Sequence, residues 1–325
     1  MGSAGRAHRP AGVGLNAVTG PGQRPWLGIS LLLAATLCFA AMDNAVRHAG
    51  RFLPVLLILW LRYATQAGVM AIWLLRQGPD AMRTAHPRFQ AARGALLLAT
   101  SAFSFVAVQH MPVAEFTAIN MLTPVLVTLL AAWLLKERVS VLRWSLVLGA
   151  FAGALIVMRP GSSLFGWAVL LPLGGAVTYA SFQLLTSKLA ALENPYTTHF
   201  YTGLVGTLLL LPVVLASPLD VDGLLLHASA LTCALIALIG LLGTGGHLLL
   251  ILALGCAPAS RLVPFMYVQI ANAALFGWLL FGDLPDRWGW IGMGVIAVCG
   301  GTTAWLNTRH RSGPPSALND DPVDD

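Results

Sequence analysis

Ten apolar runs, separated by short segments where polar and charged residues collect, dominate the chain. They lie near 26–47, 53–75, 94–112, 116–135, 141–158, 164–187, 198–217, 229–254, 262–281 and 288–306. Each approaches the roughly 17–25 helical residues that cross a hydrocarbon core of about 30 Å. In lipid the backbone must satisfy its own polar groups, so each run is expected to be a helix. The pattern predicts an all-α integral membrane protein with ten transmembrane helices. The run at 94–112 carries Thr100, Ser101, Ser104 and Gln109, and a half-polar helix of this kind belongs inside a bundle. Residues 1–25 lack periodicity and read as a disordered cytoplasmic N-tail. The run after Arg24 is long for a signal peptide and has no small-residue cleavage site, so it is expected to stay as the first span. Residues 307–325 read as a polar cytoplasmic C-tail.

Composition agrees with this pattern. Hydrophobic residues make up 57% of the 325 and charged residues only 10%, against about 25% charged in soluble domains; the mean hydropathy is +0.76. Too little charge remains to cover a water-facing surface, which excludes an ordinary soluble enzyme. The net charge of +6 resides in the connecting segments, an arrangement of orientation signals rather than of a nucleic-acid-binding surface. With the N-terminus inside, fourteen of the 19 Lys/Arg fall on inward segments, including Arg76, Arg83, Arg88 and Arg93. Four fall outward (Arg47, Arg51, Arg159 and Arg287), and Arg62 lies within a span. Both termini are therefore expected in the cytoplasm. Cys38, Cys233, Cys256 and Cys299 form no metal-spaced cluster.

An internal repeat is also visible. The stretch 114–144 lines up with 259–290, matching Met121 to Met266 and Trp133 to Trp278; after a one-residue gap, Glu137 meets Asp283 and Trp144 meets Trp290. Earlier, Pro54 falls on Pro195, Trp60 on Tyr201 and Arg47 on Lys188. The halves are 26–159 and 164–306, with five helices each. Five is odd, so the second half enters the membrane inverted, a recurrent design of secondary transporters with a binding site between the halves.

The segments LRYATQAG (61–68), ARGALLLATSAFSFVAVQHMPVAEFTAIN (92–120), TPVLVTLLAAWLLKERVS (123–140), GAFAGALIVMRPG (149–161) and FGWLLFGDLPDRW (276–288) resemble the drug/metabolite transporter superfamily, specifically its ten-helix members built of two EamA-type repeats. The resemblance covers 26–306. It implies a central cavity lined by helices of both halves, with the fifth and tenth helices peripheral, and leaves the cargo open. Two departures stand out: Asp283 where Glu is usual, and Gly203 where the first half has Arg62.

Arg62 is the most informative position, about 13 Å along its helix at 1.5 Å per residue. An arginine at that depth is functional by default; the alternatives are structural neutralisation or reach to the surface. Gln66, one turn on, shares its face, so the pair could hold an anionic or carboxylate group. Asp43 is the candidate counter-charge, with Arg47 at i+4 as its rival partner. Asn120, Pro124 and Thr128 form a polar stripe on the fourth helix, where Pro124 is expected to free a carbonyl for cargo. Tyr179 and Gln183 on the sixth helix, and Tyr267, Gln269 and Asn272 on the ninth, complete the expected binding set. Asp43, Glu115, His199 and His247 are gate or proton candidates. The glycines at 243, 245 and 246 favour close helix contact or could loosen their helix.

No catalytic, ATP-binding or cofactor motif is present. The sequence therefore predicts a secondary transporter of a small polar or zwitterionic metabolite working by alternating access. Amino-acid or metabolite export is the first expectation and uptake of a cofactor- or vitamin-like compound the alternative. A membrane enzyme or lipid-handling protein would have to use Asp220, Asp222, Asp283 and Asp286, which lack metal-ligand spacing; a channel would need a repeated polar ring. The expected partners are the small-molecule cargo and the bilayer, with a homodimer as an option and no nucleic acid or cofactor. The expected location is the bacterial inner membrane.

Overall fold

The computed structural model describes residues 24–135, 141–158, 166–189, 192–226, 228–256, 262 and 265–310. The tails, the segments holding Glu137, Arg159 and Arg261, and the side chains of Thr128, Lys188 and Asp222 lie outside the described residues. The first half runs through α1 (Pro25–Ala49), α2 (Val55–Leu75), α3 (Pro87–His110), α4 (Val113–Asn120), α5 (Thr123–Leu135) and α6 (Val141–Met158). The second runs through α7 (Leu170–Leu189), α8 (Pro195–Ala216), a short α9 (Val221–Leu226), α10 (Ala230–Cys256), α11 (Val268–Phe281) and α12 (Arg287–His310). Six helical segments among the described residues are long and apolar enough to span a membrane unaided: Trp26–Ala49, Val55–Leu75, Pro87–His110, Gly166–Thr186, Pro195–Ala216 and Ala230–Ala253. Proline opens α1, α3 and α8 at their first turns, where its missing N–H leaves no helix bond unmade.

The expected fourth span, 116–135, is two helices, broken at Met121 and Leu122. Pro124 cannot donate to the Asn120 carbonyl four residues back. That carbonyl instead accepts from Thr123 Oγ1 at 2.7 Å, so the group expected to be free for cargo is occupied locally. The ninth span has a turn at Tyr267, just after Met266, the residue aligned with Met121. Tyr267 reaches across to the Met121 carbonyl at 3.4 Å, so the two interrupted helices meet at their interruptions.

Helices of one half pack chiefly on helices of the other. The extensive pairs are α1 with α10, α3 with α7, α2 with α8, and α6 with α12. Exchanging the halves turns the first pair into the second and leaves the others unchanged, the contact signature of a two-fold related repeat. Two groups result, α1–α10–α11 and α3–α7–α4/α5, each drawn from both halves. The repeat is thus the unit of sequence but not of packing. At the peripheral α6–α12 contact, a Cβ on Gly153 would lie 2.9 Å from the Gly292 carbonyl and 3.0 Å from the Ile296 nitrogen. Backbones approach there because no side chain intervenes.

Polar contacts join the halves at the two ends of α2. Beyond its first turn, Arg47 of α1 pairs with Asp283 of the α11–α12 connection at 2.5 Å and stacks over Phe281 at 4.4 Å. Past its last turn, Glu193 Oε1 accepts from Thr84 Oγ1 at 2.7 Å and from the Ala85 and His86 amides at 2.9 and 3.0 Å. The same oxygen lies 3.1 Å from His86 Nδ1. Burial pushes the Glu193 carboxyl up, but the hydrogen bonds from Thr84, His86 and Ala85 outweigh it and hold the group below its ordinary value.

Two outcomes are expected. Gly153→Leu should separate α6 from α12 and lower stability by about 1–3 kcal/mol, read as a lower thermal midpoint in detergent; Gly245→Ala, with nothing within 4 Å of the added carbon, should leave the midpoint unchanged. Because the folded pKa of Glu193 is depressed, its stabilising contribution is present above the unfolded value of about 4.3 and is lost only as pH falls through the lower folded value. Amide exchange at Ala85 and His86, corrected for intrinsic rate, should therefore be as protected at pH about 5 as at neutrality, and unprotected at both in Glu193→Ala.

Candidate functional site

Between the two helix groups lies an open cavity. α1 contributes Thr36, Phe39, Met42 and Asp43; α2 contributes Arg62; α3 contributes Thr100, Ser101, Ser104 and Phe105. Phe116 and Asn120 come from α4, Tyr179 from α7, His247 from α10 and Gln269 from α11. Phe, Tyr, Met and Leu side chains make up about half of the lining residues and nine polar or charged side chains the rest, so apolar surface is combined with many polar groups.

Among the described residues Arg62 is one of the largest fully buried side chains, 1% exposed. Its guanidinium carbon sits 4.4 Å from the centre of the Tyr63 ring, and the Tyr63 hydroxyl is tied to Ser101 Oγ at 2.9 Å. Space for it comes from Gly243, where a Cβ would lie 2.8 Å from Arg62 Nε. Nε and Nη1 have no hydrogen-bond partner among the described residues. Asp43, 5% exposed, lines the same cavity, yet no ion pair within 4.0 Å joins it to Arg62. Its rival partner Arg47 is committed to Asp283. The two groups therefore lie at one cavity without an ion-pair contact between them.

The structure brings Arg62, Asp43, Asn120, Tyr179, His247 and Gln269 to this wall and directs the other expected residues elsewhere. Gln66 does not join Arg62 in facing the cavity. Its Nε2 donates to the His199 carbonyl at 3.0 Å and lies 3.3 Å from His199 Nδ1. His199 in turn reaches the Thr244 carbonyl at 3.2 Å, so this pair links α2, α8 and α10 behind the cavity. Asn272 Nδ2 donates to Thr36 Oγ1 at 3.2 Å, fixing α11 on α1. Tyr267 serves the helix interruptions described above. Gln183 and Glu115 do not line the cavity; their Nε2 and Oε2 atoms are buried with no hydrogen-bond partner among the described residues. α10 runs unbroken through its glycines; Gly243 and Gly246 allow close approach to Arg62 and Phe39, while Gly245 faces open space.

Thr36, Thr100, Ser101 and Ser104 are cavity groups that sequence reasoning does not assign to binding. A signal for them exists: Thr100 and Ser104 stand four apart in the half-polar run 94–112. Arg93 is a further correction. Expected on an inward loop, it is in fact within α3 and 2% exposed. It donates to Thr186 Oγ1 at 2.7 Å, to the Thr198 carbonyl at 3.1 Å and to Thr202 Oγ1, all on helices of the second half.

The EamA-like transporter family profile matches residues 26–159 and 166–301. A riboflavin transporter of Rhizobium johnstonii is 34% identical over 230 residues, spanning 69% of this chain and 72% of its own. An S-adenosylmethionine uptake transporter of Rickettsia prowazekii is 21% identical over 80% of this chain and 86% of its own. A pseudopaline exporter of Pseudomonas aeruginosa is 28% identical over 80% and 89%. A protein of known crystal structure, 18% identical, superposes with a TM-score of 0.61 over 90% of this chain and 100% of its own, a likeness of fold alone.

Proposed function

Since the chain belongs to the EamA-like transporter family, and is thus a membrane transporter of small metabolites rather than an enzyme, we propose that it carries riboflavin or a closely related flavin inward across the inner membrane. The observation that carries this reading is the unpaired guanidinium of Arg62 set in a cavity walled by Phe39, Phe105, Phe116 and Tyr179. A flat heteroaromatic ring bearing carbonyl groups fits both features: the rings cover its faces, and buried donors meet its acceptors. The similarity to a riboflavin transporter favours the same cargo. Movement is by alternating access, with both termini cytoplasmic. The rocking bodies are the two mixed groups, α1–α10–α11 against α3–α7–α4/α5, because the cavity lies between them and each packs within itself across the repeat boundary. The Arg47–Asp283 contact ties α1 to the end of α11 and the Glu193 contacts tie the start of α3 to the end of α7, so each holds its own body together while the bodies rock.

A second reading has its own support. Asp43 and Arg62 on one cavity wall suit the two charges of a zwitterion, and a relative named as a pseudopaline exporter favours outward movement of such a compound.

The test is radiolabelled riboflavin flux into proteoliposomes, with an amino-acid panel alongside. Saturable riboflavin uptake is expected. Arg62→Ala should cut binding about 10–100-fold through loss of charge-assisted bonds worth about 1.5–3 kcal/mol each, while the thermal midpoint shows the protein still folded; Arg62→Lys should recover part of it. Flux of amino acids but not riboflavin would favour the zwitterion reading instead.

A further inference from the structure

We infer that the cavity recognises the edge of a cyclic imide, a ring N–H flanked by two carbonyl groups, with His247 accepting from the N–H and Arg62 donating to the carbonyls; this rests on the flavin reading above for its cargo, though not for its chemistry. The orientation of His247 carries the inference. Its Nδ1 lies 2.9 Å from the Gly243 carbonyl oxygen on its own helix and 3.4 Å from Arg62 Nη2. A nitrogen at 2.9 Å from a carbonyl oxygen carries a hydrogen, since two lone pairs would otherwise face each other. Nδ1 is therefore a donor and cannot accept from Arg62. In the neutral ring the lone pair is on Nε2, and the ring, held edge-on by Phe39 at 4.8 Å between centres, stands on the cavity wall.

Arg62 then keeps unmet donors: Nε and Nη1 have no partner among the described residues, and His247 Nδ1 beside Nη2 is itself a donor. Asn120, 9% exposed, also lines the cavity, but its unpartnered Oδ1 is buried on the side of Gly175. With His247 Nε2, the cavity offers donors and an acceptor together. A carboxylate brings acceptors only and would leave Nε2 unpaired and facing its lone pairs. An imide edge satisfies both kinds of group at once. Sites built to bond an N–H discriminate strongly against an analogue lacking it, because their own buried acceptors are left unmet.

The experiment uses the purified full-length chain in detergent and compares four probes by quenching of their own fluorescence: riboflavin, 3-methylriboflavin, lumichrome and 3-methyllumichrome. Methylation at N3 removes the imide hydrogen and leaves the ring faces and carbonyls in place. The expected result is a loss of about tenfold or more in affinity on N3 methylation for both rings, shrinking to within about threefold in His247→Phe. Equal binding of methylated and unmethylated rings overturns the inference while leaving the flavin reading standing. Binding of lumichrome with the methylation penalty, without binding of riboflavin, supports the inference and removes the vitamin as cargo. Binding of none of the four overturns both. The ligand-side comparison needs no variant, so it holds even if His247→Phe does not fold.

Discussion

A guanidinium held inside a membrane without a paired carboxylate is the constraint around which the rest of this molecule is arranged. Such a group is costly at the bilayer centre even by lenient scales, about 2.5–3.5 kcal/mol. The chain does not relieve that cost by an ion pair. It surrounds Arg62 with the face of Tyr63, the glycine backbone at 243, and a cavity containing Asp43 at some remove. Removing one partner of a contact pair leaves a charge uncompensated, whereas here no partner is made in the first place. A second buried guanidinium, Arg93, is treated differently: three oxygens on α7 and α8 take its hydrogens, and it does not line the cavity. One arginine holds helices together, and the other is left with donors to offer.

The packing explains how such a site could change sides. The cavity is bounded by groups that each mix the two repeats, so the extensive α1–α10 and α3–α7 contacts stay within a group, and the lesser contacts of α1 with α3 and α4 and of α4 with α11 cross between them. α2 and α8 lie across both groups, and the close approach of Gly203 to the backbone of Gln66 and Ala67, where a Cβ would sit 2.7 Å from the Ala67 nitrogen, gives them a tight central contact. The Gln66–His199–Thr244 chain extends that contact to α10. Polar residues that resemble cargo ligands in sequence are in this way the joints of the scaffold.

Much of this is legible in the residues and some is not, for identifiable reasons. Apolar runs and the repeat predict the helix number and the inverted duplication because hydropathy and odd helix count are properties of the chain itself. Arg62, a charge within a span, announces its own importance. The break after Asn120 is signalled by Thr123 and Pro124, but not the capture of the freed carbonyl by the hydroxyl next to it. Gln66, Asn272 and Tyr267 point to the cavity in sequence because they are polar among apolar neighbours. Whether such a side chain meets cargo or another helix depends on which helix packs against it, information that periodicity does not hold. Arg93 reads as a loop residue because hydropathy rises only after it, while the helix begins at Pro87. The interleaving of the halves is invisible for the same reason as the partners of Gln66: it is a matter of contacts between distant segments.

Transport, in this view, depends on Arg62 meeting cargo between the two mixed helix groups. A structure of the protein solved with riboflavin bound tests this most directly. It should show the ring system against the Arg62 guanidinium, between Tyr179 on one side and His247 on the other. Ring density beside Arg93, or on the outer face of α6 and α12, with Arg62 still unpartnered, would contradict it.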